Sequence, residues 1–408
     1  MASVSFYPKQ PHRLRNAMRL VGWIAACLLM VPVAIVFPIL TVVSVVLFIG
    51  FSFRSSAVAT GSAIAVVLGI FGWMNSMKGI SGDWVWYTEH FLLLEHMHFS
   101  EYWGQRIGRY TIRIAEPVYY FIAFVLAKLT GGSIPALAWV VSSLIYIPLG
   151  VSVGLISARM VKVPAHAGVA ILVALMVGVT FTLTTHLVRQ EIAGALLVFG
   201  CVLFYFGWRT IGMILAALAL LTHNSSFFPL AVIVAASLFA INHERLAWGR
   251  VALLWGVFIA VGLSYLLVAP GLGYYQSDNS DGEISKLTFL LDVSILLIFL
   301  FARSRLGEPQ RLLDILAAGA IIYSGFLIGL SLVPLPFIRM YFYFELFRTL
   351  MVGAIACALL RSRYGALLAV PMLLVAVVYV EIRIRVSPFW YEGGGVVARI
   401  LKPFAFLN

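Results

Sequence analysis

Long apolar runs recur from one end of this chain to the other, and they restrict what it can fold into more than any other feature. Residues 20–51 contain no charged side chain. As a single helix they would be about 48 Å long, whereas the hydrocarbon core of a bilayer is about 30 Å thick. Because 62% of the residues are hydrophobic and 11% are charged, the apolar surface is too large for one water-soluble core. We therefore expect an integral membrane protein.

The apolar runs lack the alternating ten-residue pattern of a membrane barrel. We therefore predict an all-α, polytopic membrane protein with about 11–14 transmembrane helices. The chain is expected to form one membrane-embedded domain, 1–408. Its parts are N-terminal spans in 1–75, a polar segment on the outer face in 76–133, a helical bundle in 134–380 and a basic outer tail in 381–408.

The net charge of +12 comes from basic residues that stand at the ends of apolar runs rather than along one polar face. This is the positive-inside pattern of a polytopic protein, so we expect a lipid bilayer, and no nucleic acid, as a partner. The first basic cluster, Lys9 to Arg19, precedes the first apolar run and places the amino terminus in the cytoplasm. Cys27, Cys201 and Cys357 lie inside apolar runs without paired spacing, which indicates buried thiols.

The crossings can be counted in two ways. In the first, Pro32 and Pro38 divide residues 20–51 into two spans, and the polar residues 75–120 lie outside. Pro117–Lys128, about a dozen residues, is then a re-entrant segment that does not cross. In the second, residues 20–51 cross once and the polar interval lies in the cytoplasm. We favour the first because it keeps this interval on the same side as the other polar clusters.

Residues 75–120 form the most polar interval of the chain, and Asp83 is its first site candidate. Asp83 follows a turn signal and precedes three aromatic residues that include Tyr87. It could act as a general base beside rings that stack on sugars, or it could cap a helix within an ordinary aromatic belt. The histidines of this interval do not form a compact ligand set at helical spacing, so no metal site is predicted.

The second candidate set in this interval is basic. Arg106, Arg109 and Arg113 are spaced at i, i+3 and i+7, and Glu116 continues the same helical face. Three guanidiniums on one helical face, which we call the basic stripe, would form a binding site for pyrophosphate. The same spacing would suit an amphipathic helix at the lipid headgroups, with Arg113 paired to Glu116.

Further polar islands interrupt the later apolar runs. The first contains His186, Arg189 and Gln190, and the second contains His223. Ionisable groups between spans are site candidates by default, because burying them costs free energy. Each island also has an ordinary explanation, which is a loop charge for the first and a structural histidine for the second.

A third island begins at Arg339, which we expect nearer to water than the residues that follow it. Tyr341, Glu345 and Arg348 share a helical face at i, i+4 and i+7. Glu345 and Arg348 could form a buried ion pair. Arg339 is therefore the better candidate for binding a ligand.

Five motifs in this order resemble the EpsG family of Wzy-like polysaccharide polymerases, over most of the chain. They are Asp83 to Tyr87 after the first spans, Glu116-Pro117-Val118-Tyr119 leading into a span, Arg189-Gln190-Glu191-Ile192-Ala193, His223-Asn224-Ser225-Ser226 at the end of a span, and Arg339 to Phe344. Two features depart from the family's pattern. Glu191 stands where a small or apolar residue is commoner, and the Arg106 to Arg113 stripe is unusually basic.

The resemblance implies a GT-C-like glycosyltransferase in a bacterial inner membrane, with its site on the outer side. It would transfer a growing glycan from undecaprenyl pyrophosphate onto a lipid-linked repeat unit, without a metal or cofactor, and a chain-length regulator protein is an implied partner. The implied catalytic residues are Asp83, Glu116 and Arg189, with either carboxylate as the base. With the arginine stripe and the polar island at His186 added, the candidate substrate-binding residues are Tyr87, Arg106, Arg109, Arg113, Tyr119, His186, Gln190, His223, Arg339, Tyr341 and Tyr343.

Two other functional classes stay open. A flippase or transporter of lipid-linked oligosaccharides would also have many spans and a basic cavity, but would more often show two similar halves, which this sequence lacks. A membrane acyltransferase that modifies surface polysaccharide would use a histidine such as His186 or His223, and it would leave the order of the five motifs unexplained.

Overall fold

The computed structural model describes residues 55–103, 106–107, 110–111, 116–242, 245–268, 286–303, 306 and 309–387. Its helices are α1 (Ser56–Ser76), α2 (Asp83–His96), α3 (Phe99–Tyr102), α4 (Pro117–Thr130), α5 (Ile134–Met160), α6 (Pro164–Gly178), α7 (Val188–Tyr205), α8 (Arg209–Thr222), α9 (Phe227–Ala235), α10 (Trp248–Val268), α11 (Lys286–Arg303), α12 (Gln310–Leu330), α13 (Pro334–Leu360) and α14 (Gly365–Arg385). A π-helical turn, Ala236–Ala240, continues α9, and 3₁₀ turns occupy Phe181–Leu183 and Asn224–Ser226. Two antiparallel hairpins pair β1 (Arg106–Ile107) with β2 (Tyr110–Thr111) and β3 (Ile241–Asn242) with β4 (Arg245–Leu246).

Seven helices of the described part are long and apolar enough to cross a membrane, namely α1, α5, α7, α10, α12, α13 and α14. Four others, α4, α6, α8 and α9 with its π-helical turn, are apolar but shorter. The prediction of an all-α polytopic membrane protein is therefore confirmed. The predicted N-terminal spans before residue 55 lie outside the described residues, so the total of about 11–14 spans stays a prediction.

The centre of the bundle is α6, which packs against α1, α5, α13 and α14. Nearly every residue from Ala167 to Gly178 is buried. A helix that is apolar on all sides lies in a protein core or a membrane rather than in water, and here other helices surround it. At Gly178 a Cβ atom would lie 2.4 Å from the Cα of Thr349. The absence of a side chain therefore lets α6 and α13 approach at backbone distance.

Contacts along α5 fix the direction in which this helix runs. Asn75, at the end of α1, donates a hydrogen bond to Ser142 Oγ at 3.0 Å. Earlier in α1, Ile64 lies against Gly150, where a Cβ atom would be 2.5 Å from Ile64 Cγ1. α5 is therefore antiparallel to α1. It begins at the end of the bundle where α1 ends, which we call the upper face.

α4 begins and ends at this upper face. Asn75 also donates to Thr184 Oγ1 at 2.8 Å, just before α7, so α7 begins there. Glu116, which precedes α4, is paired with Arg189 on the first turn of α7. A short connection joins Thr130 to the start of α5 at the same face. α4 therefore begins and ends at one end of the bundle, which is the arrangement that the first of the two predicted topologies requires; its place relative to the membrane stays a prediction.

The structure corrects the helical spacing predicted for the basic stripe. Arg106 is paired with Thr111, and Ile107 with Tyr110, as antiparallel strands. The sequence between these strands begins with Gly108, and glycine at the first position of a two-residue connection favours a β-hairpin. This local preference of Gly108 for a turn outweighs the helical preference indicated by the i, i+3 spacing of the arginines.

The structure also moves the end of the helical bundle. α14 runs to Arg385, beyond the boundary predicted at residue 380. Glu381 and Arg385 pair at 3.2 Å with the spacing of one helical turn, and Arg383 donates to Thr288 Oγ1 on α11 at 2.8 Å. Long basic side chains let the helix continue while their charged groups reach polar partners. The rest of the predicted tail, from residue 388, lies outside the described residues.

Candidate functional site

The candidate site is built around the carboxylate of Glu116, the residue that precedes α4. Pro117 occupies the first helical position, where a missing N–H removes no hydrogen bond, and Gly131 ends the helix in the left-handed conformation with φ 58°. The Glu116 side chain does not cap its own helix. It turns instead toward α7 and α8, and it is 1% exposed.

Three groups donate hydrogen bonds to this carboxylate. Arg189 Nη1 is paired with Oε2. Oε1 accepts from the backbone N–H of Asn224 at 3.2 Å and lies 2.9 Å from His223 Nδ1. Burial alone raises the pKa of Glu116, but the hydrogen bond from His223 and the charge of Arg189 outweigh it and lower the pKa to about 2. Glu116 is thus ionised at physiological pH, so Nδ1 of His223 carries the proton and donates it.

His223 is left with Nε2 as its unprotonated nitrogen. Burial lowers the pKa of His223, and the hydrogen bond and charge of Glu116 offset only part of that effect. The charges of Arg189 and Arg339 lower this pKa further. The imidazole is therefore neutral at neutral pH. A carboxylate that fixes the tautomer of a neutral histidine prepares it to act as a general base.

Arg189 connects the carboxylate to two tyrosines. Its Nη1 also donates to Tyr120 OH at 3.3 Å, and its Nε donates to Tyr87 OH at 3.5 Å. Among the residues that the structure describes, Nη2 donates no hydrogen bond, and 19% of the side chain is exposed. The guanidinium is thus held by protein on one side and keeps donors for an anion on the other.

Asp83 lies beside this cluster but does not contact Glu116. It is the first residue of α2 and is exposed. Tyr87 follows one turn later on the same helical face, about 6 Å along the axis. The Tyr87 ring packs edge-on against Tyr119, with the centroids 5.6 Å apart. Both readings of Asp83, as a base and as a helix-terminal charge, therefore stay open.

Two contacts bring the start of α13 to the same region. Gln190 donates from Nε2 to the backbone carbonyl oxygen of Arg339. Tyr343 OH lies 2.9 Å from Ser225 Oγ, close behind His223 in the chain. The side chain of Arg339 is exposed. Residues from α2, α4, α7, α8 and α13 thus meet at the upper face.

Tyr341, by contrast, lies in a separate buried network. Its hydroxyl donates to Asp292, which is also paired with Arg348 at 2.9 Å. Arg348 lies 3.2 Å from Glu345 as well, so the ion pair predicted for these two residues is confirmed. With Arg348 and Tyr341 0% and 2% exposed, this network is positioned to hold α11 and α13 together.

The basic stripe is described only in part. The backbone of Arg106 lies in β1, whereas Arg109 and Arg113 lie outside the described residues. The predicted pairing of Arg113 with Glu116 is therefore not tested, although Glu116 already has Arg189 as a partner. The role of the stripe in binding pyrophosphate stays a prediction.

His186 belongs to a second polar cluster at the upper face, which includes a lysine that the sequence analysis missed. Lys78 is 6% exposed and donates to Thr182 O at 2.9 Å and to Thr185 Oγ1 at 2.8 Å. Burial lowers the pKa of Lys78 to about 6, and burial with the Lys78 charge lowers the pKa of His186 to about 3. These bonds hold the segment that leads into Arg189.

Tyr120, Asn224 and Ser225 were not predicted as individual contributors. Tyr120 follows the motif that ends at Tyr119, and Asn224 and Ser225 lie within the motif that begins at His223, so proximity to these motifs was their signal. No group of three or more His, Cys, Asp or Glu residues within the described ranges is arranged to hold a metal ion.

Residues 62–393 match the family model of the EpsG family, and this range contains every contact of the Glu116 cluster. No curated protein and no solved structure matches the chain. Since the match covers most of the sequence, the chain belongs to the EpsG family, a family of Wzy-like membrane proteins of the polysaccharide-polymerase type.

Proposed function

We propose that this protein polymerises lipid-linked oligosaccharide repeat units, by transferring a growing glycan from undecaprenyl pyrophosphate onto a repeat unit carried by the same lipid. The observation that carries the proposal is the Glu116 cluster. One ionised carboxylate holds a cation, Arg189, and a neutral imidazole, His223, side by side. Transfer from a pyrophosphate needs both a base for the attacking hydroxyl and positive charge for the leaving group.

In the proposed reaction a hydroxyl oxygen of the acceptor sugar forms a bond to the anomeric carbon of the donor. The bond from that carbon to the pyrophosphate oxygen breaks, and the pyrophosphate leaves with the electron pair. The proton of the hydroxyl passes to Nε2 of His223. The resulting imidazolium is stabilised by the Glu116 carboxylate 2.9 Å from Nδ1.

Glu116, one of the two bases predicted from the sequence, is assigned a positioning role instead. Its oxygens already accept three hydrogen bonds, and its pKa of about 2 gives it little affinity for another proton. Asp83 is exposed one turn from Tyr87. We assign it to the hydroxyls of the acceptor sugar, beside the rings of Tyr87 and Tyr119.

The leaving pyrophosphate is assigned to guanidiniums. Arg189 offers Nη2, and the exposed Arg339 is held by its backbone carbonyl to Gln190. Planar guanidinium donors suit phosphate oxygens and stabilise developing charge without reorganising during the reaction. In a bacterial inner membrane the upper face would then be the outer side, where the GT-C-like reaction takes place.

The proposal is tested in cells whose polymer depends on this protein, with the variants His223→Gln, Arg189→Lys and Asp83→Asn. His96→Gln is the matched control, because that imidazole is 83% exposed. We expect loss of polymer and accumulation of single lipid-linked repeats in the three variants but not in the control. Normal chain lengths in all three would refute the proposal. Repeats retained on the cytoplasmic leaflet would indicate a flippase, and polymer that lacks only acyl groups would indicate an acyltransferase.

A further inference from the structure

A cavity of about 460 Å³ lies at the end of the bundle opposite to the Glu116 cluster. Its volume is within the range of about 300–1,000 Å³ that is typical of ligand sites. It is lined by the end of α7, the start of α8, the second half of α9 with its π-helical turn, and the start of α12. Along α7, Arg189 and Tyr205 are about 24 Å apart. The cavity is therefore separate from the candidate active site.

The walls of this cavity are mostly apolar and open toward the surface of the bundle. Phe204, Met213 and Leu238 line it and are 47%, 56% and 65% exposed. At the base of the cavity the backbones of α7 and α8 are in close contact, because a Cβ atom on Gly212 would lie 2.5 Å from the carbonyl oxygen of Gly200. In a membrane, an apolar groove of this kind faces lipid chains rather than water.

Two guanidiniums line the same cavity. Arg209 is the first residue of α8, and Arg311 is near the start of α12. Both side chains are exposed, and within the part of the chain that the structure describes neither forms a salt bridge. A cation in the first turn of a helix is opposed by the helix dipole. Arg209 lies 5.9 Å from the centroid of the Phe204 ring, but the helix dipole favours neither arginine at its position.

We propose that this cavity binds a phospholipid with an anionic headgroup, with one acyl chain in the groove and the phosphate between Arg209 and Arg311. Positive-inside placement accounts for basic residues at this end of the bundle, but not for two guanidiniums at one apolar cavity. Guanidinium forks match phosphate oxygens. A zwitterionic lipid would fill the groove equally well, but its headgroup would place a third cation beside the two arginines.

Purified full-length protein in nanodiscs with equal amounts of phosphatidylglycerol and phosphatidylcholine provides the test. Lipid retained by the protein is identified by native mass spectrometry, and binding of fluorescent phosphatidylglycerol is titrated. Arg209→Gln/Arg311→Gln removes the headgroup contacts. We expect it to weaken phosphatidylglycerol binding roughly thirtyfold, which corresponds to about 2 kcal/mol for two basic side chains.

The matched control is Arg250→Gln/Arg363→Gln, which removes the same charge from exposed arginines outside the cavity. It should bind phosphatidylglycerol as the unmodified protein does. Val234→Trp fills the groove from a side chain that is 45% exposed, so the bundle has room for it. It should displace both lipids, and it tests the groove even if the double arginine variant fails to fold.

Three results would overturn the proposal. The first is equal retention of the two lipids by the unmodified protein. The second is equal loss of phosphatidylglycerol in the double variant and in its matched control. The third is a dimer in the native mass spectrum that carries no lipid and separates in Val234→Trp, because a second copy of the chain would then occupy the groove.

Discussion

Replacing Glu116 by Gln tests whether a single charge holds the candidate site together. Gln has the same size and keeps one oxygen, which can still accept from His223 and from the Asn224 N–H. Its amide nitrogen would face Arg189 Nη1, however, so a donor would meet a donor and the ion pair would be lost.

The structure sets the magnitude of this effect. A hydrogen bond to a charged group contributes about 1.5–3 kcal/mol, and removing one partner of a fully buried ion pair costs about 3–5 kcal/mol. Arg189 is 19% exposed, so water reaches its guanidinium and limits the loss. We expect the free energy of unfolding of Glu116→Gln to fall by about 2–3 kcal/mol. Activity should fall by about 10²–10⁴-fold, because a neutral amide no longer stabilises the imidazolium and Arg189 loses its carboxylate partner.

The pH profile separates a positioning role from a catalytic one. The hydrogen bond and charge of Glu116 raise the pKa of His223 against the effect of burial. Gln keeps the hydrogen bond but not the charge, so this pKa falls further and protonation of the imidazole begins at lower pH. The acid limb of kcat/KM, measured with purified lipid-linked repeat units, should therefore move to lower pH in Glu116→Gln. If Glu116 were the base, the limb would vanish rather than move.

The control for this variant is Glu101→Gln. Glu101 belongs to a capping box with His98, and Gln serves that role as well as Glu does. Stability and activity should both be retained. The reasoning is refuted if Glu116→Gln melts at the temperature of the unmodified protein and keeps its activity.

Two further predictions concern buried charges, and a third concerns the proposed pyrophosphate ligands. Arg348→Met leaves Asp292 and Glu345 buried without a cation, so thermal unfolding in detergent should show a loss of about 3–5 kcal/mol, against less than about 1 kcal/mol for the exposed Arg385→Met. Burial lowers the pKa of Lys78 from 10.5 to about 6, so between these values the unfolded chain binds a proton that the folded protein lacks. Stability should therefore rise with pH over that window, by at most about 1.4 kcal/mol per unit, and Lys78→Met should lack this rise. Because the proposed pyrophosphate ligands are guanidiniums, a chelator should leave the polymerisation rate unchanged.

Each of these expectations has a contrary result. Equal losses in the Arg348 and Arg385 variants would mean that the buried network contributes no more than a surface pair. If the stability of the unmodified protein and that of Lys78→Met depended on pH in the same way, the Lys78 ammonium would titrate in the folded protein as it does in the unfolded chain. Activity that is lost with chelator and restored by Mg²⁺ would mean that a metal ion, rather than the guanidiniums alone, stabilises the leaving pyrophosphate.

The apolar runs predicted the helices well because length and composition alone decide which segments can lie in a membrane. Residues 57–74, a run without charge, lie within α1, Ser56–Ser76. Pro117 predicted the start of α4 because proline favours the first helical position. The helix predicted from the arginine spacing was wrong at residues 106–107 and 110–111, because strands of two residues are too short to show a periodic pattern in the sequence.

The partners of Glu116 could not be predicted from spacing. Local spacing pointed to Arg113, whereas the carboxylate pairs with Arg189 and His223, 73 and 107 residues away in the chain. Such pairings depend on how helices pack, which the local pattern does not encode. Lys78 was missed for a related reason. A lone lysine at the end of a span is typical of an interfacial charge, and only the packing of the segment before α7 buries it.

The directions of the helices explain how residues distant in the chain form the candidate site. α7 runs away from the upper face and α8 returns to it, so Arg189 at the start of α7 and His223 at the end of α8 lie at the same face. Because α4 starts and ends at that face, Glu116 can meet Arg189 and His223 there without a further crossing.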